Sequence, residues 1–318
     1  MDVENTQKDQ IRVFRTFVHA KVNLALAVDR VDASSGMHPI CSWMHAIDLS
    51  DEVEIVRRSP GSGSGYSIVW AGTETGDSGG DEPVAWAPED DLVSKAHRAV
   101  ETKIGRALDV QISVRKSIPA GGGLGGGSAD AAGVLVGLNE LFGLNLTQSQ
   151  LVGIALGLGS DIPFFIDGLQ ADRLIPRPAL VEGVGDRITR LSQRFDGAPL
   201  TLIVPGFGCH TGQVYGAFDE LVGQEPGRIL DEERVRTIAR SGELDASSLF
   251  NDLGPAAECV SPELVELRRS ISAMLDHVPV HVSGSGSTLF VLGDVGEGMA
   301  RDIETHHEGC RVIRTCLR

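Results

Sequence analysis

The sequence predicts an α+β protein of two domains, and three observations carry that expectation. The first third of the 318-residue chain reads as strands, a glycine-dense turn near the middle runs straight into a helix, and beyond residue 176 helices and strands alternate under a changed composition. At this length the chain can bury one large core or two ordinary ones.

The strands come first. Val22, Leu24, Leu26 and Val28 alternate with Lys21, Asn23, Ala25 and Ala27, the period-two pattern of a half-buried strand. Lys21 and Asn23 therefore share one face, the less apolar one. Segments 40–49, 53–58 and 66–70 read as further strands, and the low-complexity patches 59–65 and 72–82 as long, mobile hairpin loops. Residues 90–104 place Leu92, Ala96, Ala99, Val100 and Ile104 on one helical face, and 110–116 returns as a strand that feeds the glycine turn.

That turn is Pro119-Ala120-Gly121-Gly122-Gly123-Leu124-Gly125-Gly126-Gly127-Ser128, with six glycines in seven positions. Without Cβ atoms the backbone can curl around an anion, and the helix that follows aims unpaired N–H groups at it. A phosphate site is the direct reading. Gly121-x-Gly123-x-x-Gly126 matches a dinucleotide fingerprint, but the acidic residue that fingerprint expects at the end of a second strand would fall at Asn139 or Glu140, still inside the helix. A Walker A loop would place a lysine before its serine, and here none precedes Ser128. The cation for the phosphates must then come from elsewhere in the chain or from Mg²⁺. A flexible linker would alternate glycine with polar residues. This segment instead enters an amphipathic helix carrying Ala131, Val134, Leu135, Leu138, Leu141 and Phe142.

Thr147 and Gln150 form a capping box for a helix with Leu151, Ile154 and Ala155. After Pro176-Arg177-Pro178 the pattern predicts a strand at 200–204, a helix from Gly212, and helices near 231–240 and 246–258. A helix from Ser261-Pro262 turns Leu264, Leu267, Ile271 and Leu275 inward, and strands at 278–282 and 288–292, a helix at 295–306 and a strand at 310–315 complete the chain. The division expected is 1–175 and 176–318.

Composition narrows the function classes. The formal net charge of −16 argues against general nucleic-acid binding and requires any phosphate pocket to gather its basic residues locally. No apolar run approaches the ~18 residues of a membrane span, and residues 1–10 are polar and charged, unlike a secretory leader. Cysteines at 41, 209, 259, 310 and 316 show neither paired nor metal-ligand spacing, as expected of a cytoplasmic protein.

Three more segments could carry chemistry. By themselves Lys21 reads as a solvent-facing strand lysine, Asp161 in Gly159-Ser160-Asp161-Ile162-Pro163 as a helix or turn cap, and Ser283-Gly284-Ser285-Gly286 as a hairpin loop. Together with the glycine turn they form an ordered set: Ala20-Lys21-Val22-Asn23-Leu24, the turn with Ser128, Asp130 and Ala131, the Asp161 segment running to Phe165, and the late glycine-serine turn. This set resembles the GHMP kinase superfamily over nearly the whole chain. Within it the chain looks most like the branch acting on a cytidyl diphosphate sugar alcohol, of the methylerythritol phosphate route to isoprenoids.

The resemblance implies a two-domain α+β fold: an N-terminal domain like domain 2 of ribosomal protein S5, which binds ATP, and a ferredoxin-like C-terminal domain, with both ligands in the cleft between them. It implies transfer of the ATP γ-phosphoryl to a substrate hydroxyl, with ATP and Mg²⁺ as cofactors. Asp161 would be the general base and Lys21 its electrostatic partner. Pro119, Gly121, Gly122, Gly123, Leu124, Gly125, Gly126, Gly127 and Ser128 would hold the nucleotide, Ser128 also touching the metal. Asn23, His38, Thr211, Tyr215, Gly284 and Ser285 would hold the acceptor.

Two departures from the family pattern stand out. Gly36-Met37-His38 keeps the histidine of a Gly-Tyr-His sequence but not its aromatic ring, and 172–178 reads as an insertion whose Arg173 and Arg177 are expected to face solvent. Two other readings stand beside this one, a GHMP kinase for another small alcohol and a non-catalytic nucleotide or metabolite sensor. Neither a nucleic acid nor a membrane is expected as partner, and the assembly expected is a monomer or homodimer.

Overall fold

The computed structural model describes residues 13–33, 36–72, 81–167, 173–223 and 230–318. Its contacts divide the chain into two units. The first holds residues up to 18, 50–117 and 127–174, and the second holds 19–49, 118–126 and 175–318. Two long strands, β1 (Val13–Val28) and β2 (Ile40–Arg57), contribute to both.

In the first unit the second half of β2 pairs antiparallel with β5 (Val110–Lys116), and β5 pairs in parallel with β3 (Gly65–Trp70), which meets the short β4 (Glu82–Pro83). The expected break between strands 40–49 and 53–58 is absent: β2 is continuous through the polar stretch, lying between β1 and β5 in the sheet and paired with β5 from Glu52 onward. The patch 59–65 does not close a hairpin either, because β5 lies between β2 and β3. Nor is it loose, for the Asp109 carboxylate accepts from the Gly61 and Gly63 amides, each at 2.8 Å. Most of the other patch, 73–80, lies outside the described residues.

Helix α1 (Leu92–Ile104) is capped by Asp91, which accepts from the Val93 amide. It buries Val93, Ala96, His97 and Val100, a face displaced from the one that the apolar pattern predicts. Helix α2 (Gly126–Leu141) is not amphipathic. Ala129, Ala131, Ala132, Val134, Leu135 and Leu138 are all fully buried, so it is a core helix. Small residues permit this, since a Cβ on Gly133 would collide with Val18 and one on Gly137 with Phe14 and Ile55. The predicted capping box forms at α3 (Gln148–Leu156), and α4 (Ile162–Phe165) follows. Strand β6 (Arg173–Leu174) pairs with the start of β1. Asp172 and the Arg173 side chain lie outside the described residues, whereas Arg177 is exposed.

In the second unit the first half of β2 pairs with β7 (Ala179–Gly183), and β7 with β8 (Arg187–Arg190). A four-stranded antiparallel sheet forms in the order β11 (His281–Val282), β12 (Leu289–Leu292), β9 (Pro199–Val204) and β13 (Arg311–Cys316). Helices α5 (Thr211–Gly223), α6 (Glu232–Arg240), α7 (Gly254–Val260), α8 (Pro262–Met274) and α9 (Gly296–His306) complete it. The helix expected over 246–258 begins only at Gly254, because Phe250 and Asn251 are drawn into a short strand, β10, parallel to β1.

The core of this unit gathers Val22, Leu24, Trp43, Ile118, Leu124, Leu200, Leu202 and Phe290. From Ala20 onward β1 is buried on both faces, not half-buried as alternation predicts. Lys21 and Asn23 are each 3% exposed, so the solvent-facing reading of Lys21 fails.

Candidate active site

Strand β1 supplies the floor of the site. The Lys21 ammonium donates to Asn23 Oδ1 at 2.6 Å, Asn23 Nδ2 donates to Ser42 Oγ at 2.8 Å, and Ser42 Oγ donates to the Ala25 carbonyl at 3.0 Å. A buried cation and a buried amide are tolerable only with such partners. The chain locks the Lys21 and Asn23 side chains of β1 into one orientation against Ser42 on β2.

The glycine turn is seated on this floor. The Lys21 amide donates to the Leu124 carbonyl at 2.9 Å, and the buried Leu124 side chain anchors the turn in the core. The late glycine-serine turn packs against it, with Ser283 Oγ donating to the Gly123 carbonyl at 3.1 Å. Gly123 has φ +74°, and a Cβ there would run into the Ser283 carbonyl. Gly284 has φ +54°, and its Cβ would lie 3.4 Å from both Lys21 Nζ and Asn23 Oδ1. These two glycines are thus required by the packing of one turn on the other as well as by their own backbone conformation. Asn251 braces the late turn, its Nδ2 donating to the Gly284 carbonyl at 2.7 Å and the Val282 carbonyl at 2.8 Å.

A second cluster in the same unit is built on α5. Thr211 and Tyr215, one helical turn apart, share a face. Thr211 Oγ1 lies 3.1 Å from Ser285 Oγ, and the Tyr215 ring lies 4.8 Å from the His38 ring between centroids, tilted by 43°. His38 Nε2 is 2.8 Å from Asp219 Oδ1, one turn further along α5. Met37, standing where the family has an aromatic ring, is 47% exposed.

The structure therefore brings Lys21, Asn23, Leu124 and Gly284 together, pairs Thr211 with Ser285, and pairs His38 with Tyr215. Pro119 and Gly121 to Gly126 belong to the same unit. Asp161, Gly127 and Ser128 belong to the other one. There Ser128 is the third residue of α2, and Asp161 precedes α4 without making a side-chain cap, so its helix-capping reading is not realised. Sequence reasoning missed Ser42, Asn251 and Asp219. Asp219 left a signal as an acidic residue four positions after Tyr215 on a predicted helix, and Asn251-Asp252-Leu253 left one as an echo of the family pattern, but neither signal assigns its residue a role.

Among the described residues no cluster of three or more His, Cys, Asp or Glu side chains is placed to hold a metal. A cavity of about 540 Å³ in the second unit, lined by Phe207, Glu263, Leu267 and His307 among others, contains none of the residues above.

Residues 91–168 match the family model described as the GHMP kinases N terminal domain. A protein named 4-diphosphocytidyl-2-C-methyl-D-erythritol kinase from Geobacter sp. (strain M21) is 35% identical over 297 residues, 92% of this chain and 93% of its own length. One of the same name from Mycolicibacterium gilvum (strain PYR-GCK) is 36% identical over 309 residues, 94% of this chain and 87% of its own. Among solved structures, a 4-(cytidine 5'-diphospho)-2C-methyl-D-erythritol kinase superposes with a TM-score of 0.67 at 29% identity, covering 96% of this chain and 99% of that one. Homoserine kinase from Cytophaga hutchinsonii reaches 0.65 at 18% identity over 100% and 97%, a likeness of fold alone. With a two-unit α+β architecture, a glycine turn seated on a buried lysine, and this identity along nearly its full length, the chain belongs to the GHMP kinase superfamily and, within it, to the 4-diphosphocytidyl-2-C-methyl-D-erythritol kinase family.

Proposed function

We propose that the protein transfers the γ-phosphoryl group of ATP to the 2-hydroxyl of 4-diphosphocytidyl-2-C-methyl-D-erythritol, in the non-mevalonate route to isoprenoids. The observation that carries this reading is the glycine turn bonded through Leu124 to the strand that holds Lys21 and Asn23. It supplies backbone donors for phosphates beside a fixed, desolvated cation.

Phosphoryl transfer asks the protein for alignment and charge neutralisation. The turn and the N-terminus of α2 offer amides and a helix dipole to the phosphates. Asp161 is the base that takes the proton from the acceptor oxygen as that oxygen attacks the γ-phosphorus, and ADP leaves. Lys21, held by Asn23, lowers the cost of the developing negative charge. A nucleotide-bound Mg²⁺ would neutralise phosphate charge. The Ser128 hydroxyl, at the start of α2, is the group that would hold it.

Cytosine recognition follows from His38. The Asp219 carboxylate only accepts hydrogen bonds, so it selects the imidazole tautomer with its proton on Nε2 and leaves Nδ1 as an acceptor. An acceptor suits the exocyclic amino group of cytosine, and the Tyr215 ring offers a stacking face. Asn23, Thr211, Gly284 and Ser285 complete the acceptor site.

We take residues 1–175 as the ATP-binding domain, 176–318 as the C-terminal domain, and the cytoplasm as the site of action, as a monomer or homodimer. No helix among the described residues is long and apolar enough to cross a membrane.

The test is ADP release with Mg-ATP and 4-diphosphocytidyl-methylerythritol, beside the same phosphate lacking cytidine, mevalonate, homoserine and galactose. Turnover that depends on the cytidyl group is expected, and is expected to vanish in an Asp161→Asn variant that still binds ATP. Turnover with another alcohol alone would move the acceptor, and silence with every acceptor while ATP binds would favour a sensor.

A further inference from the structure

A buried charge cluster that the mechanism leaves unused sits in the first unit, where the chain departs into the glycine turn and where it returns. Lys116, the last residue of β5, donates from Nζ to Asp51 Oδ2 at 2.6 Å and to Asp130 Oδ2 at 2.5 Å. The Ser117 amide donates to the other Asp51 oxygen at 2.5 Å. The three side chains are 4%, 0% and 2% exposed, so none of these contacts is an ordinary surface ion pair. Burial works against the ammonium, but the neighbouring Asp130 and Asp51 more than offset it and hold the Lys116 pKa above its usual range. Burial, and then the charge of Asp51, push the Asp130 carboxyl well up against the pull of Lys116. Asp130 Oδ1 is buried with no hydrogen-bond partner among the described residues.

The placement of this cluster gives it a task. The eight residues 118–125 lie between Lys116-Ser117 on one side and α2 on the other. Glycine-rich backbone has more conformations to lose than any other, so its phosphate-binding shape needs its two ends held as well as the anchor at Leu124 in its middle. Lys116 joins those ends. Asp130 lies one turn inside α2, and Asp51 ties both Lys116 and Ser117 to the central strand β2.

We propose that Asp51, Lys116 and Asp130 form a staple across the mouth of the glycine turn, and that Lys116 is a positioning residue which keeps the turn in its phosphate-binding form. The proposal rests on the kinase reading for the identity of the ligand. The geometry leaves the Lys116 ammonium committed to two carboxylates, so it acts through the turn and not by touching the nucleotide.

The test uses the full chain with Lys116→Met, and Asp130→Ala as a second variant in which Asp51 still balances Lys116, so that folding does not hinge on an unpaired charge. Lys116→Arg, whose guanidinium can reach both carboxylates, is the rescue. Two readouts are taken: hydrogen exchange of the amides of 118–127, and calorimetric binding of Mg²⁺ with a non-hydrolysable ATP analogue, of ADP and of adenosine. Both disruptive variants are expected to speed exchange in 118–127 while β9, β12 and β13 stay protected. They are also expected to weaken the triphosphate by about tenfold or more, ADP by less, and adenosine hardly at all, with Lys116→Arg restoring both readouts. Unchanged exchange in the turn would overturn the proposal. So would an equal loss for adenosine and triphosphate, which would make Lys116 a contact to the base or a general prop of the fold. If the unmodified protein bound no nucleotide, the kinase reading would fall and the exchange readout alone would decide the staple.

Discussion

Replacing Gly123 by alanine separates two demands that a glycine can meet, backbone conformation and space. Gly121 and Gly123 both have positive φ, +70° and +74°, but a Cβ on Gly121 meets nothing within 4 Å, whereas one on Gly123 would overlap the Ser283 carbonyl. The conformational cost common to both is about 1–2 kcal/mol for a non-glycine residue in the left-handed region. Gly123→Ala adds overpacking against backbone that belongs to a braced turn, about 1–3 kcal/mol more. Gly286 lies on the same side, its amide 3.4 Å from the added carbon, so the late turn has little room to retreat. Gly121→Ala should therefore cost about 1–2 kcal/mol and Gly123→Ala about 2–5, measured by urea denaturation at pH 7 with unchanged m-values. Equal destabilisation of the two variants would refute the claim that the late turn, and not backbone conformation alone, requires glycine at 123.

Two further outcomes follow from the same geometry. Asp219→Asn can turn its amide toward His38 and release the tautomer preference, so KM for the cytidyl acceptor should rise about tenfold while KM for ATP stays within about twofold; a matching rise in both would remove Asp219 from acceptor recognition. His45 and His281 are held neutral by burial, their pKa values lowered to about 4. An unfolded histidine titrates near ~6.5, so the stability these residues leave intact above that pH is lost as pH falls from about 6.5 toward 4, by at most about 3 kcal/mol each. Denaturation midpoints of the protein and of His45→Phe should converge as pH is lowered; parallel curves would show that His45 does not contribute.

The features legible in the sequence were those set within a few residues. The capping box at Thr147 and Gln150 depends on two side chains and the amides beside them, and it forms as its spacing predicts. The glycine turn, the helix after it and the inward face of α8 at Leu264, Leu267 and Ile271 are local in the same sense. The ordered set of Lys21, the turn, Asp161 and the late turn was enough to indicate the superfamily.

What lay beyond such reading involves partners far apart in the chain. Alternation along 21–28 says that one face is more polar, but not that Ser42 and Gly284 will cover it, and so it marks Lys21 as exposed when it is buried. The polar stretch of β2 looks like a break until the sheet sets β2 between β1 and β5, and 59–65 looks like a hairpin until β5 comes between the two strands. Asp219 beside His38, Asn251 under the late turn and Lys116 between Asp51 and Asp130 are contacts across 14 to 181 positions. Periodicity and capping rules register the conformation of a segment, which its own residues largely dictate. The burial of a charge and the choice of its partner depend on which strands are neighbours, and that is decided by the packing of the whole chain.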